Sequence, residues 1–263
     1  MDRKVRSFNV LGNIAVVNFP KNISSKEKKE FAKNIIEKNK PVKTVLEKIG
    51  NFKGRLRKMK TKHIAGEKTK EVLYKENGCV FRFNIDTTYF SPRLSGERKE
   101  IASLIKKNEE VLVMFAGVAP YSIVIAKNSL AKKVYSNEIN REANKYAQLN
   151  INLNNAKNRI ELVSGDIKRV SLNFKKQNKK FDVIVMPRPQ LKDSFLKQSF
   201  MLSRKGTRIY YYDFCKQDEI GVIKEKIEKQ AKESKIKVKI KNIKSAGEIA
   251  PYKIRVRFDL EVI

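Results

Sequence analysis

From residue 111 onward the chain alternates short apolar runs with amphipathic stretches, and that alternation leaves few folds open to it. The first unit, Val111-Leu-Val-Met-Phe-Ala-Gly-Val-Ala-Pro-Tyr-Ser-Ile-Val-Ile-Ala-Lys127, reads as a buried strand, a turn containing Gly117 and Pro120, and a helix. Four more strand-like runs follow at residues 134–136, 160–163, 182–186 and 208–212, with helical spacing at 141–154 and 191–202 between them. Strands joined through helices pair in parallel, because the crossover returns the chain to the same end of the sheet, and the helices cover both faces. A helix at 220–233 and two last strands, 238–243 and 252–262, complete an α/β sheet of seven mostly parallel strands with an antiparallel edge.

The preceding residues keep a different rhythm. Residues 6–18 read as a hairpin around Gly12-Asn13, and residues 26–39 place Phe31, Ile35 and Ile36 at helical spacing. Residues 42–49 read as a second short helix with Val45, Leu46 and Ile49 on one face. Residues 52–63 alternate basic with mostly apolar or small side chains, so a strand there turns Arg55, Arg57 and Lys58 to solvent, where they can follow phosphates. Two strands around Glu76-Asn77-Gly78 finish a small α+β domain over residues 1–90, ahead of a catalytic domain over 91–263.

Charge narrows the choice of partner. Lys and Arg number 59 against 28 Asp and Glu, a formal net charge of +31 that repels itself unless a polyanion shares the surface. Nucleic acid is the expected partner. His63 is the single histidine and lies among basic residues, where it reads as a surface or RNA-facing side chain; a Ser-His-Asp triad or a histidine-rich metal site is nearly excluded, and no metal is expected. Cys79 and Cys215 are far apart and fit a reducing compartment. No run approaches the ~20 apolar residues of a membrane span, and the start of the chain lacks a signal core; a cytoplasmic chain, and a monomer, are expected.

The ends of the first four strands carry the chemistry. Phe115, Ala116, Gly117, Val118 and Pro120 form a strand-to-helix turn at which a ligand can meet free helix N–H groups, with no Cβ at Gly117 in its way. Glu138, followed by Ile139, sits one sheet position away, where a carboxylate can accept both hydroxyls of a ribose. Asp166 and Ile167 follow the third strand, where an acid can accept from an adenine amine, and Met186-Pro187-Arg188-Pro189 closes the fourth.

At these residues the chain resembles a family. The runs Glu76-Asn-Gly-Cys-Val-Phe-Arg-Phe, Tyr89-Phe-Ser-Pro-Arg-Leu-Ser-Gly-Glu-Arg98, Met114-Phe-Ala-Gly-Val, Val134-Tyr-Ser-Asn-Glu-Ile-Asn140, Asn150-Ile-Asn-Leu-Asn154 and Ala250-Pro-Tyr are similar to those of the archaeal and eukaryotic tRNA (guanine-37 N1)-methyltransferases and their wybutosine-pathway relatives. The resemblance implies a Rossmann-like class I methyltransferase domain, S-adenosylmethionine as methyl donor, and a small domain that helps hold the anticodon stem-loop of tRNA. It implies that Arg93 and Arg98 are the candidates for stabilising O6 or a phosphate and that Glu138 binds ribose or takes a proton; Tyr89 and Phe90, two aromatics at a strand end, read either as stacking on the flipped base or as core. A further N-terminal domain that grips the outer corner of tRNA is expected to be absent. The chain departs from the family at Val113, where an acid is usual, at Ala119, where a second glycine is usual, and at Pro187-Arg188-Pro189 in place of Asn-Leu-Pro. Either Arg188 or nearby carbonyls then orient the base, or the reaction differs. The alternatives are a wybutosine-pathway enzyme on the same fold and a basic tRNA-binding protein with a degenerate pocket.

Overall fold

The computed structural model describes residues 8–20, 22–54, 56 and 58–263. Contacts divide the chain into two compact units, Met1–Pro92 and Arg93–Ile263.

In the first unit β1 (Phe8–Leu11) and β2 (Ile14–Val17) form the expected hairpin. The chain then crosses through α1 (Ser25–Lys38), whose N-terminus is closed by a capping box between Ser24 and Glu27. The segment expected to be a second helix is instead β3 (Thr44–Lys53), parallel to β2 and antiparallel to β4 (Lys58–Gly66). Its apolar residues meet opposite needs: Val45 joins the cluster with Ala32 and Ile35 of α1, while the adjacent Leu46 is also fully buried. Burial on both faces reads in sequence like a helical stripe; the β-branched Val42, Thr44 and Val45, and a strand β2 that still needed a partner, settle it as strand. In β4, Lys58, Lys60 and Lys62 are exposed between buried Met59 and Thr61. Arg55 and Arg57 lie outside the described residues. A second hairpin pairs β5 (Glu71–Glu76) with β6 (Cys79–Asn84), and Asn77 and Gly78 supply the two positive φ angles of its turn.

The second unit opens with α2 (Ser95–Ser103). It continues through β7 (Glu110–Val113), α3 (Pro120–Asn128), β8 (Lys133–Glu138), α4 (Arg141–Leu153), β9 (Ile160–Ser164), α5 (Ile167–Lys176), β10 (Val183–Met186), α6 (Leu196–Met201), β11 (Arg208–Lys216), α7 (Ile220–Glu233), β12 (Val238–Ala250) and β13 (Lys253–Val262). The seven strands take the order β12-β13-β11-β10-β7-β8-β9. β7 to β11 are mutually parallel, and β13 pairs antiparallel with both β11 and β12. Side chains of α5, α6 and α7 pack on one face, over Ile209, Tyr211, Val256 and Phe258. The other face carries Tyr212 and Arg257, which bond to Glu97 of α2.

One expected element shrank. Residues 191–195 are not helical, because the backbone carbonyls of Leu191 and Asp193 are turned to Arg188 and the helix starts only after Phe195, which has a left-handed φ of 59°.

Candidate active site

In a doubly wound sheet the ligand crevice lies where the chain reverses its direction of travel across the strands, outside their carboxyl ends. Here the reversal is at β7, with β8 on one side and β10 on the other. The Met114 N–H donates to Val185 O (2.9 Å) and the Ala116 N–H to Asn137 O (2.8 Å), so the turn after β7 is pinned to both neighbours. Within it Phe115, Gly117 and Ala119 have φ of 57°, 59° and 67°. For the two non-glycine residues this conformation costs about 1–2 kcal/mol each, and sequence reasoning did not detect it. Pro120 then takes the first position of α3, which no side chain caps.

Glu138 organises the turn from the next strand. One carboxylate oxygen accepts the Gly117 N–H (2.7 Å), and the other accepts those of Ile139 (2.8 Å) and Asn140 (2.7 Å). Its neighbour Asn137 donates to Val163 O (2.8 Å) and Gly165 O (3.0 Å), which fixes the end of β9. Asp166 caps α5 by accepting the Lys168 N–H (3.0 Å). Of the residues expected to hold a cofactor, Phe115, Gly117, Glu138, Ile139 and Asp166 are half-buried, while Ala116, Val118, Pro120, Ile167 and Met186 are buried. The Phe115 ring meets Phe195 edge-on at 4.9 Å between centroids, and Lys168 Nζ stands 5.5 Å over Phe195. Phe195 had not been singled out from sequence, since it comes from a loop taken for helix.

Arg188 corrects an expectation. The Arg188 N–H bonds Met186 O (2.7 Å) in a tight turn about half-buried Pro187, and the side chain runs inward, only 2% exposed. Its guanidinium bonds Asp213 (2.5 Å), Asp193 O (2.8 Å) and Leu191 O. The Nε–H has no hydrogen-bond partner, but it is buried with the rest of the side chain and presents no fork to a base. Asp213 in turn accepts from Tyr211 Oη (2.5 Å), the Phe214 N–H (2.9 Å) and Lys226 Nζ (3.2 Å). Burial pushes that carboxyl up, but the Arg188 charge and these donors outweigh it and hold it below its ordinary range.

Phe90 also moves inward. It is 9% exposed and lies against Phe83 (4.7 Å, stacked), Tyr74 (5.1 Å) and Phe81 (5.6 Å), so it belongs to the core of the first unit. Tyr89 is half-buried and Arg93 exposed. Arg98, 1% exposed, is withdrawn from solvent with its guanidinium 5.8 Å over the Tyr121 ring. Tyr121 is pushed up to about 12 by burial and stays neutral at any physiological pH. Beside it Arg257 bonds Glu97 (2.6 Å), Glu100 (2.9 Å) and Asp259 (2.6 Å), and Tyr212 Oη donates to the same Glu97 oxygen (2.6 Å). Neither Glu97 nor Arg257 stands out in sequence, being 160 residues apart.

A seven-stranded sheet in this order, with a glycine turn after its first parallel strand and a carboxylate at the end of the next, defines a class I methyltransferase fold. Comparison with known proteins agrees: residues 72–239 match the TRM5/TYW2 methyltransferase domain and residues 1–69 the TYW2 N-terminal domain. The chain belongs to the TRM5/TYW2 methyltransferase family. It is 33% identical, over 97% of its length and 74% of the relative's, to the tRNA (guanine(37)-N(1))-methyltransferase Trm5b of Pyrococcus abyssi. The crystal structure of that protein superposes with a TM-score of 0.84, covering 98% of this chain and 75% of that one. It is 31% identical, over 98% of its length and 100% of the relative's, to the tRNA (guanine(37)-N(1))/4-demethylwyosine(37)-methyltransferase Taw22 of Nanoarchaeum equitans. A Methanocaldococcus jannaschii Trm5 structure in complex with adenosine matches with a TM-score of 0.79 at 28% identity, covering 98% and 74% of the two chains.

Proposed function

We propose that this chain is a tRNA methyltransferase that moves the methyl group of S-adenosylmethionine to N1 of guanosine 37 in the anticodon loop. The observation that carries the reading is the three-residue left-handed turn at Phe115, Gly117 and Ala119, braced by Glu138. The donor set fits the cofactor: a carboxylate suited to ribose hydroxyls at the end of β8, a second at Asp166 suited to an adenine amine, and buried Ala116, Val118 and Ile167 as apolar walls. When bound, the cofactor supplies an already activated methyl, so alignment of donor and acceptor accounts for much of the rate.

The chain's own residues do the rest. Glu138 holds the backbone of the turn through three N–H groups, which suits a binding carboxylate better than a proton acceptor. Half-buried Pro187 walls the pocket at the end of β10, with its turn held from behind by Arg188. The family resemblance supports exposed Arg93 as the residue that meets a phosphate or the guanine O6, and half-buried Tyr89 as one that stacks on the extruded base. Arg98, 1% exposed and packed on Tyr121, takes a supporting role, with no contact to O6 or a phosphate. Lys58, Lys60 and Lys62 form a cationic comb along β4 suited to a phosphate backbone. The proposal extends to a cytoplasmic monomer needing no metal; among the described residues no helix is long and apolar enough to cross a membrane.

A second substrate is favoured by a specific observation: residues 1–69 match a TYW2 N-terminal domain, and the Nanoarchaeum relative is named for both guanine-37 and 4-demethylwyosine. Labelled S-adenosylmethionine with unmodified transcripts carrying G37 or A37, and with tRNA carrying 4-demethylwyosine, tests both readings once the product nucleoside is identified by mass. N1-methylguanosine from the G37 transcript alone supports the first. Product only from the tricyclic substrate overturns it.

A further inference from the structure

Beyond the cofactor turn, the carboxyl edge of the sheet continues to the β11–β13 pair, where the surface holds charges that the fold itself does not explain. β11 is parallel to β10, so its last residues emerge on the same edge as Pro187; β13 is antiparallel to β11, so its first residues begin there. The register sets Phe214 opposite Arg255 and Lys216 opposite Lys253. Opposed residues, and residues two apart on a strand, share a face, so these four side chains form one strip, on the face away from buried Tyr211 and Cys215.

Like charges directly opposed on neighbouring strands destabilise the pair. No ion pair relieves Lys216, Lys253 or Arg255 among the described residues, whereas Arg188, Arg204, Arg208 and Arg257 of the same unit each meet a carboxylate. The Arg255 guanidinium stands 5.2 Å from the Phe214 ring centroid, a contact that uses none of its N–H donors. Asp218 and Glu219 follow Lys216 closely in sequence, but neither forms an ion pair with it among the described residues; the Glu219 carboxylate accepts the Lys216 backbone N–H (2.9 Å) instead. At the hairpin tip, Tyr252 follows exposed Pro251 with a φ of 60° and is 87% exposed, the most exposed of the large apolar side chains.

Three uncommitted cations in a row, one braced on an aromatic ring and the row ending in an exposed tyrosine, match the way unpaired nucleotides are held: phosphates by charge, bases by stacking. We infer that Phe214, Lys216, Lys253, Arg255 and Tyr252 form a platform for single-stranded RNA, which takes the phosphates and one base of the nucleotides flanking the methylated one. The inference rests on the tRNA reading above and adds to it the surface that holds the substrate beside the pocket.

The test measures the affinity of an unmodified tRNA transcript at several salt concentrations, for wild type, Lys216→Ala/Lys253→Ala, Lys253→Glu and Tyr252→Ala. With one phosphate per lysine, the double variant binds about twentyfold more weakly at 0.1 M salt, and its slope of log affinity against log salt is shallower by about 1.4. S-adenosylmethionine affinity stays at the wild-type value, as does the single-turnover rate at saturating tRNA. Lys253→Glu places an acid opposite Lys216, so its melting temperature holds or rises while tRNA affinity falls, a combination that misfolding cannot produce. Unchanged affinity and slope in the lysine variants overturn the platform, and leave an acidic protein partner as what the strip serves. If wild type binds tRNA but forms no methylated nucleoside, the proposed reaction fails while the binding comparison still decides the platform.

Discussion

Replacing Arg188 with methionine separates bracing from catalysis at the end of β10. The substitution keeps a long flexible side chain but removes the bond to Asp213 and both bonds to the 191–193 carbonyls. Breaking a buried ion pair costs about 3–5 kcal/mol when the remaining charge is stranded. Asp213 is not stranded, since Tyr211 Oη, the Phe214 N–H and Lys226 Nζ remain, and methionine recovers some apolar contact, so about 3 kcal/mol is expected. For a domain of this size that lowers the melting temperature by about 6–12 °C at pH 7. The Asp213 carboxyl is depressed in the fold, so its pairing contributes stability above the unfolded value of about 3.9 and loses it as pH falls through the lower folded value. The gap between wild type and variant therefore narrows below about pH 4. Thermal melts from pH 3 to 8 and single-turnover methyl transfer with both substrates saturating form the assay. A melting temperature within about 2 °C of wild type, together with a collapsed saturated rate, would refute the reasoning and return the guanidinium to the target base.

Gly117→Ala should weaken S-adenosylmethionine binding about tenfold or more while the melting temperature drops by only a few degrees, since Ala119 already tolerates the same φ at about 1–2 kcal/mol; calorimetric titration and a melt check it. Ala119→Gly should be nearly neutral in stability, because relief of that strain is offset by one lost buried methyl, about 0.8 kcal/mol, and by added chain entropy of about 0.4–1 kcal/mol. Glu138→Gln presents an amide donor to backbone N–H groups that need acceptors, so S-adenosylmethionine affinity should fall at least tenfold; equal affinity for both forms would remove Glu138 from the site. Phe90→Ala should cost about 3–5 kcal/mol through its cavity and leave the saturated single-turnover rate at low temperature intact; the opposite pattern would make Phe90 a base-stacking residue after all.

The alternation of apolar runs with amphipathic helices determined the parallel sheet of the second unit, because each run was short, bounded by turn residues and too regular to be read otherwise. Gly117, Glu138 and Asp166 were legible for the same reason: a strand end is a fixed place, so the residue after each apolar run is a site candidate before any coordinates exist. Sequence could not say that residues 44–53 are strand, since a strand buried on both faces leaves the same apolar stripe as a helix and only the vacancy beside β2 chose between them. Nor could it say which way long side chains turn. Arg188 and Arg93 read alike as cations at an active-site edge, yet one is 2% exposed and bonded to an aspartate 25 residues away, while the other faces solvent. Direction of that kind depends on partners brought together by the sheet, Asp213 for Arg188 and Glu97 for Arg257, and the local sequence carries no record of them.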